Sequence, residues 1–244
     1  MLKAVEGIIV SVTDYGETSK IINIITEDGI IGGLAKGAKS MKSPLRSFTS
    51  KLTYGKFQLY YKEEGLSTIK DIDVINSLTN TKKDILLISY LSYLTDLTQQ
   101  IMKQNTDSDL YHLYISTILK LEQGLNPLIL CNIFELKVLD YLGVGINLNA
   151  CAKCGKTNGI VTINADSGGY ICQACHQGEA IYDEKTIKLL RMYYLVDINS
   201  ISDLKISETS INNINRFINQ YYDRYTGLYL KTKKFLEEMR GNIN

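Results

Sequence analysis

The chain of 244 residues is short of several things at once: it has two prolines, two histidines and almost no net charge, with 27 Lys+Arg against 26 Asp+Glu. Long apolar runs are missing too. The longest purely aliphatic stretch, Ile85 to Ile88, falls far below the roughly 20 residues of a membrane helix, so no membrane partner is expected. The opening Met1-Leu2-Lys3-Ala4-Val5-Glu6-Gly7 puts an acid where a secretory core should build, which predicts a cytoplasmic protein. Catalytic chemistry is equally thin. His112 lies in a helical pattern beside Leu113, His176 adjoins a cysteine, and no pair of acids has an acid–base setting, so no enzyme is expected. A formal charge of +1 provides no global field, and any affinity for a polyanion must come from local clustering.

What is present is enough apolar material for a core, at 45% hydrophobic content, arranged in two styles. Up to about residue 79, β-branched runs (Ile8-Ile9-Val10, Ile21 to Ile25, Ile69 to Ile75) alternate with turns at Asp14-Tyr15-Gly16, Asp28-Gly29 and Glu64-Gly65. Five short strands with one longer connection through Ser40 to Pro44 predict a small closed barrel of the oligonucleotide-binding (OB) type. In the fourth strand Phe57, Leu59 and Tyr61 should face the core, and Lys56, Gln58, Tyr60 and Lys62 the outside.

From residue 80 the period changes to that of helices. Thr81 reads as the first N-cap, Thr106 as the second with Asp109 in the capping-box position, and Asn126-Pro127 as the start of a third helix ending at Gly143. Helical signals return at Asp183 and Ser207 and run on through Leu228 to Arg240, where Lys231, Lys233 and Lys234 read as a solvated face. The resulting class is α+β and multidomain. An OB-fold barrel at 1–79 precedes an all-helical domain at 80–149 and 183–244, interrupted by an insert at 150–182.

The insert carries the strongest local signal. Cys151-Ala-Lys-Cys154 and Cys172-Gln-Ala-Cys175 form C-x2-C-x17-C-x2-C, a spacing suited to four thiolates around one Zn2+. Four protein ligands leave no open position, so one structural zinc per chain is expected, bracing a segment too small to hold itself together. Two near-misses stand beside it. Cys172 to His176 spells the haem-attachment string C-x-x-C-H, but the upstream cysteine pair would then be unexplained. Gly32 to Ser40 approximates a phosphate loop, but Ala38 breaks the register and Pro44 follows where a helix should begin.

Between Gly29 and Lys62 no acid occurs, whereas Lys36, Lys39, Lys42, Arg46, Lys51, Lys56 and Lys62 all do. These cations are interleaved with Phe48, Tyr54, Phe57, Tyr60 and Tyr61. Lysine and arginine neutralise phosphates, and an exposed tyrosine offers a face to a base, so Lys36, Lys39, Lys42, Arg46, Lys51, Lys56 and Tyr60 are the candidate DNA-binding residues, with Tyr54 a weaker stacking candidate.

The chain resembles the RecO family of bacterial recombination mediators. The likeness rests on Asp14 to Ser19, Ala35-Lys36-Gly37-Ala38-Lys39, Ser43-Pro44-Leu45-Arg46, Phe134 to Gly143, and Cys151 to Cys175 with Ser167-Gly168-Gly169-Tyr170, all in family order. It implies a nucleoid-associated, non-catalytic protein that binds single- and double-stranded DNA and anneals complementary strands. It also implies two protein partners: RecR, with which RecA is loaded onto coated DNA, and the acidic tail of single-strand-binding protein (SSB). Such a tail needs an apolar notch with a nearby cation; Phe134 to Leu142 with Lys137 supplies both residue types, but its stripe is more simply read as core, so no tail-binding residue is assigned. The alternative is an RNA-binding barrel with a zinc ribbon, acting in transcription or translation.

Overall fold

The β-branched runs build β1 (Leu2–Tyr15), β2 (Ser19–Thr26), β3 (Gly29–Ala35), β4 (Tyr54–Tyr60) and β5 (Ser67–Asn76). In the computed structural model, which describes residues 1–202 and 205–241, these strands close into a barrel in the order β1-β2-β3-β5-β4. Only β3 and β5 run parallel. The fourteen-residue β1 serves two neighbours, pairing with β4 through its first half and with β2 through its second. Gly7 sits at the changeover, where a Cβ would run into the Ile25 carbonyl. Val5, Ile9, Ile22, Ile24, Phe57, Leu59, Ile69 and Ile72 fill the interior. Phe57 and Leu59 point inward as expected. Tyr61 does not: it lies past the end of β4, partly exposed, with the Lys3 ammonium 4.9 Å from its ring centroid.

The long connection between β3 and β4 belongs to the barrel core. Ala38 is fully buried and Leu45 is 7% exposed, and both pack in the same apolar cluster as the strands. At the far end of the connection Leu52 is buried with φ +65°, outside the usual range for leucine. Its N–H donates to Ile9 O at 2.7 Å while Ile9 N–H donates to Thr53 O at 3.0 Å, so the connection rejoins the sheet at the β1 bulge.

Among the described residues six α-helices follow: α1 (Ile85–Met102), α2 (Ser108–Glu122), α3 (Pro127–Tyr141), α4 (Glu184–Leu195), α5 (Glu208–Tyr225) and α6 (Lys231–Gly241). Between α3 and α4 comes a two-stranded sheet, β6 (Ile160–Asn164) and β7 (Gly169–Cys172). Asn126, Asp183 and Ser207 cap α3, α4 and α5 with side-chain oxygens as expected. Thr81 does not cap α1. It opens a single 3-10 turn, and the cap is Asp84, whose carboxylate accepts from Leu86 N–H at 2.7 Å and Leu87 N–H at 3.2 Å. The start of α2 likewise shifts from Thr106 to Ser108, with Asp107 accepting from Asp109 N–H at 2.7 Å.

The chain packs as two compact units, 1–115 and 116–244, and the division falls inside α2. In the second unit α3 is buried on nearly every side, including its polar residues Asn132 and Glu135. Phe134, Leu136, Val138 and Leu139 are therefore core, and Lys137 donates to Tyr194 O at 2.9 Å, so this stretch offers no open notch for a peptide. The face assigned to α6 is also corrected. Lys233 turns inward and pairs with buried Glu135 at 2.6 Å, while Arg240 donates to Asn215 Oδ1 at 2.8 Å; Lys231 and Lys234 remain exposed.

If Leu45 is what seats the β3–β4 connection, Leu45→Ala should lower stability by about 2 to 4 kcal/mol. It should also speed amide exchange throughout 36–53. Denaturant titration with hydrogen exchange checks this, and an unchanged midpoint with unchanged exchange would dismiss the plug.

Candidate nucleic-acid interface and metal centre

Burial of Ala38, Leu45, Thr49 and Leu52 pins the connection along its length. Lys36, Lys42, Arg46 and Lys51 are all exposed on this one connection. Its first half is also tied to the turn between β1 and β2: Lys39 N–H donates to Thr18 O at 2.7 Å, and Gly37 N–H to Ser19 Oγ at 3.3 Å. Lys20 reaches from β2 to Thr49 O at 3.3 Å. A one-turn helix at Pro44–Arg46 then sets Arg46 beside Met41, and Thr49 N–H and Oγ1 both donate to Leu45 O. The segment resembling a phosphate loop thus leads into this single turn.

The other candidates have different surroundings. Lys39 is half-buried and bonded to Asp14 at 2.9 Å, so part of its charge is already spent within the protein. Lys56 faces outward from β4, but the register sets it between Glu6 on β1 and Asp73 on β5, both of which oppose an approaching phosphate. Tyr60 is 53% exposed at the far end of β4, opposite Leu2 and Thr68, and Thr68 pairs in turn with Leu34 near the end of β3, where the connection begins. Tyr54 is buried and donates its hydroxyl to Glu6; burial, and then that hydrogen bond, push its phenol well above the ordinary value. It has no free face for stacking.

Two aromatics at the connection are better exposed than Tyr54. Phe48 lies within the connection at 37% exposure, and Tyr15 on the adjoining turn is 54% exposed. Neither was separable from core aromatics by alternation, because both lie at or beyond strand ends. The anchors Asp14, Thr18, Ser19 and Lys20 were also missed as parts of the site; the turn they form was legible, its partner was not.

In the second unit the four cysteines converge. Their sulfurs all lie within 4.8 Å of one another, and Cys154 Sγ and Cys172 Sγ are 3.6 Å apart. Tetrahedral coordination at Zn–S ≈ 2.3 Å puts sulfurs about 3.8 Å apart, so the donor set fits a bound metal ion. The first knuckle turns at Gly155, φ +75°, whose N–H donates to Cys151 O at 2.8 Å. At Gly169 a Cβ would run into Asn147 O, which is why glycine stands where β7 meets the preceding loop.

The thiols do not ionise alike. Burial opposes the Cys151 thiolate, but backbone N–H groups at Cys172, Cys154 and Lys153 outweigh it and bring the group down to about 6. Cys175 is pushed up to about 12, chiefly by its hydrogen bond with Cys154, followed by burial. Charge concentrated on one sulfur and refused by another is the expected state of four crowded thiols, and a cation at their centre would let the rest deprotonate. His176 stands aside, its Nε2 2.7 Å from Glu179 O.

Cys154→Ser should abolish tight binding of one metal equivalent per chain. It should also lower the melting temperature of the second unit, with the barrel's secondary structure unchanged. Metal analysis with circular dichroism reads both, and full metal content in the variant would rule out four-thiolate ligation.

Comparison with known proteins agrees with the order of these parts. Residues 1–78 match the family model described as Recombination protein O N terminal, and residues 82–234 match Recombination protein O C terminal. Among curated relatives, DNA repair protein RecO of Halalkalibacterium halodurans is 32% identical, covering 99% of this chain and 96% of its own. That of Listeria monocytogenes (strain CLIP80459) is 33% identical over 96% and 93%, and that of Bacillus subtilis 31% identical over 99% and 96%. Two family models meeting at the barrel–helix junction, with full-length relatives above 30% identity, establish that this chain belongs to the RecO family.

Proposed function

We propose that this protein is a DNA-binding recombination and repair mediator that pairs complementary single strands. With RecR it would assist the loading of RecA onto SSB-coated DNA. The observation that carries the reading is the β3–β4 connection, which is anchored to the barrel core and exposes Lys36, Lys42, Arg46 and Lys51 on a barrel of the OB type. Full-length relatives named DNA repair protein RecO support the same role.

Pairing two polyanions requires that their repulsion be reduced while the bases stay available. Mobile lysines and an arginine on a fixed backbone do the first by displacing counterions from phosphates. Phe48 and Tyr15 stand beside them as faces on which a base can stack, at about 1 to 3 kcal/mol each, and Tyr60 extends the candidate surface along β4. Lys39 acts mainly as a tether through Asp14, and Lys56 is the weakest contributor because of its two acidic neighbours. No covalent bond need be made or broken. Zinc is the metal we assign to the cysteine cluster, as a brace outside the DNA-binding chemistry. The proposed partners are single- and double-stranded DNA, RecR and the acidic SSB tail.

Lys42→Glu with Arg46→Glu should reduce affinity for single-stranded DNA at least tenfold at about 0.1 M salt, flatten the salt dependence and leave thermal unfolding unchanged. Lys39→Ala should cost less affinity but loosen 36–53. Fluorescence anisotropy over a salt series, with annealing of complementary SSB-coated strands, measures these effects. Undiminished binding by the double variant would remove this surface from the reading, and no acceleration of annealing by the unaltered protein would remove the mediator role.

A further inference from the structure

One side chain on the β3–β4 connection has no part in packing and carries no charge for a phosphate. Met41 is 82% exposed, between the exposed Ser40 and Lys42. Other methionines of the chain are better covered: Met102 is 5% exposed in the helical packing, Met192 41%, and Met239 is half-buried on α6. A thioether this open is accessible to water and to dissolved oxidants.

Two successive turns bring its sulfur to an arginine. Ser43 N–H donates to Ser40 O at 3.1 Å, closing a turn with Met41 and Lys42 at its centre, and Arg46 N–H donates to Ser43 O at 3.2 Å, closing the next. Leu45, packed in the barrel core, holds the second turn in place. The Arg46 side chain then directs Nη1 at Met41 Sδ. A thioether is a weak acceptor, so the contact leaves the guanidinium donors available to phosphate. A sulfoxide on the same side chain behaves differently, because its oxygen is strongly polarised and accepts a charge-assisted hydrogen bond. The conversion is a two-electron oxygen transfer. Hydrogen peroxide gives one oxygen to Met41 Sδ: the O–O bond breaks, an S–O bond forms, sulfur is oxidised by two electrons, and the remaining oxygen leaves as water with both protons. Methionine sulfoxide reductases, drawing electrons from thiols, reverse the change.

We propose that Met41 is an oxidation-sensitive modification site that sets the strength of the candidate DNA surface: peroxide converts it to the sulfoxide, the sulfoxide oxygen captures the Arg46 guanidinium, and a phosphate contact is lost until the sulfoxide is reduced. The inference rests on the reading that this connection binds DNA, and adds a means by which that binding is regulated. Lys42 and Lys51 keep their charges in the oxidised protein, so the grip is weakened rather than abolished.

The test uses the full zinc-loaded chain, treated with hydrogen peroxide and then catalase, and a fluorescein-labelled single-stranded oligonucleotide. Peptide mass spectrometry should find one added oxygen on Met41 before Met102 or Met239. Anisotropy should show affinity reduced about threefold at about 0.15 M salt and the salt slope lowered by about one, both restored by a sulfoxide reductase. Met41→Leu keeps every cysteine and should hold its own affinity through the same treatment, which separates this effect from thiol oxidation. Met41→Gln, which offers a carbonyl oxygen without any oxidant, should reproduce the loss. In an Arg46→Ala background neither peroxide nor Met41→Gln should weaken binding further. Slower exchange of the Arg46 Nε–H after oxidation, followed by NMR without DNA, reads the capture itself. Oxidation of Met102 ahead of Met41, an equal peroxide effect in Met41→Leu or in Arg46→Ala, or unchanged Arg46 exchange would overturn the switch. Undiminished binding by untreated Lys42→Glu with Arg46→Glu would instead remove the DNA surface, and leaves the oxidation and capture measurements to be judged by themselves.

Discussion

Burial of two small segments of a loop organises the candidate DNA surface. Ala38 and Leu45 complete the apolar cluster of the barrel, and Leu52, forced to a positive φ, returns the chain to β1. Each buried leucine contributes about 2 kcal/mol, enough to hold an eighteen-residue connection that would otherwise sample many conformations. Lys36, Lys42, Arg46 and Lys51 are exposed on a backbone pinned by the burial of Ala38, Leu45, Thr49 and Leu52. A flexible loop with the same charges would have to be ordered by each DNA strand it met, at an entropic cost that this packing has already covered.

The second unit solves the opposite problem. Its helices carry their own core around α3, buried on almost every side, but the insert between α3 and α4 has only a two-stranded sheet. Four thiols drawn within 4.8 Å supply what apolar area cannot. Crowding holds the Cys175 thiol protonated through its hydrogen bond with Cys154, whereas backbone N–H groups favour the Cys151 thiolate. Two polar anchors play a comparable part for α6, which buries a single leucine, Leu236, and fastens itself through Lys233 to Glu135 and Arg240 to Asn215.

Much of this was legible in the order of residues. Alternation exposed the strands, Asn126-Pro127 and Gly143 bracketed α3, and the spacing of two C-x2-C pairs announced the four-thiol cluster, because each signal is carried by short stretches of sequence. Local signals failed where two of them competed. Thr81 and Asp84 are both good caps three residues apart, and the aspartate captured the helix while the threonine became a buried turn residue. The apolar stripe of α3 was visible, but the burial of its opposite face was not, because only packing against other helices decides whether Asn132 and Glu135 meet water.

The sequence by itself determined a barrel, a set of capped helices, a four-thiol cluster and a stretch of cations without acids, since propensity, spacing and composition are properties of neighbouring residues. Tertiary structure alone decided which of those cations stand free. Asp14 meets Lys39, and Glu6 and Asp73 flank Lys56, across strand pairings far apart in the chain, while Lys42 and Arg46 face solvent. A charge acts through whatever surrounds it in space, and those surroundings arise only when distant strands come into register.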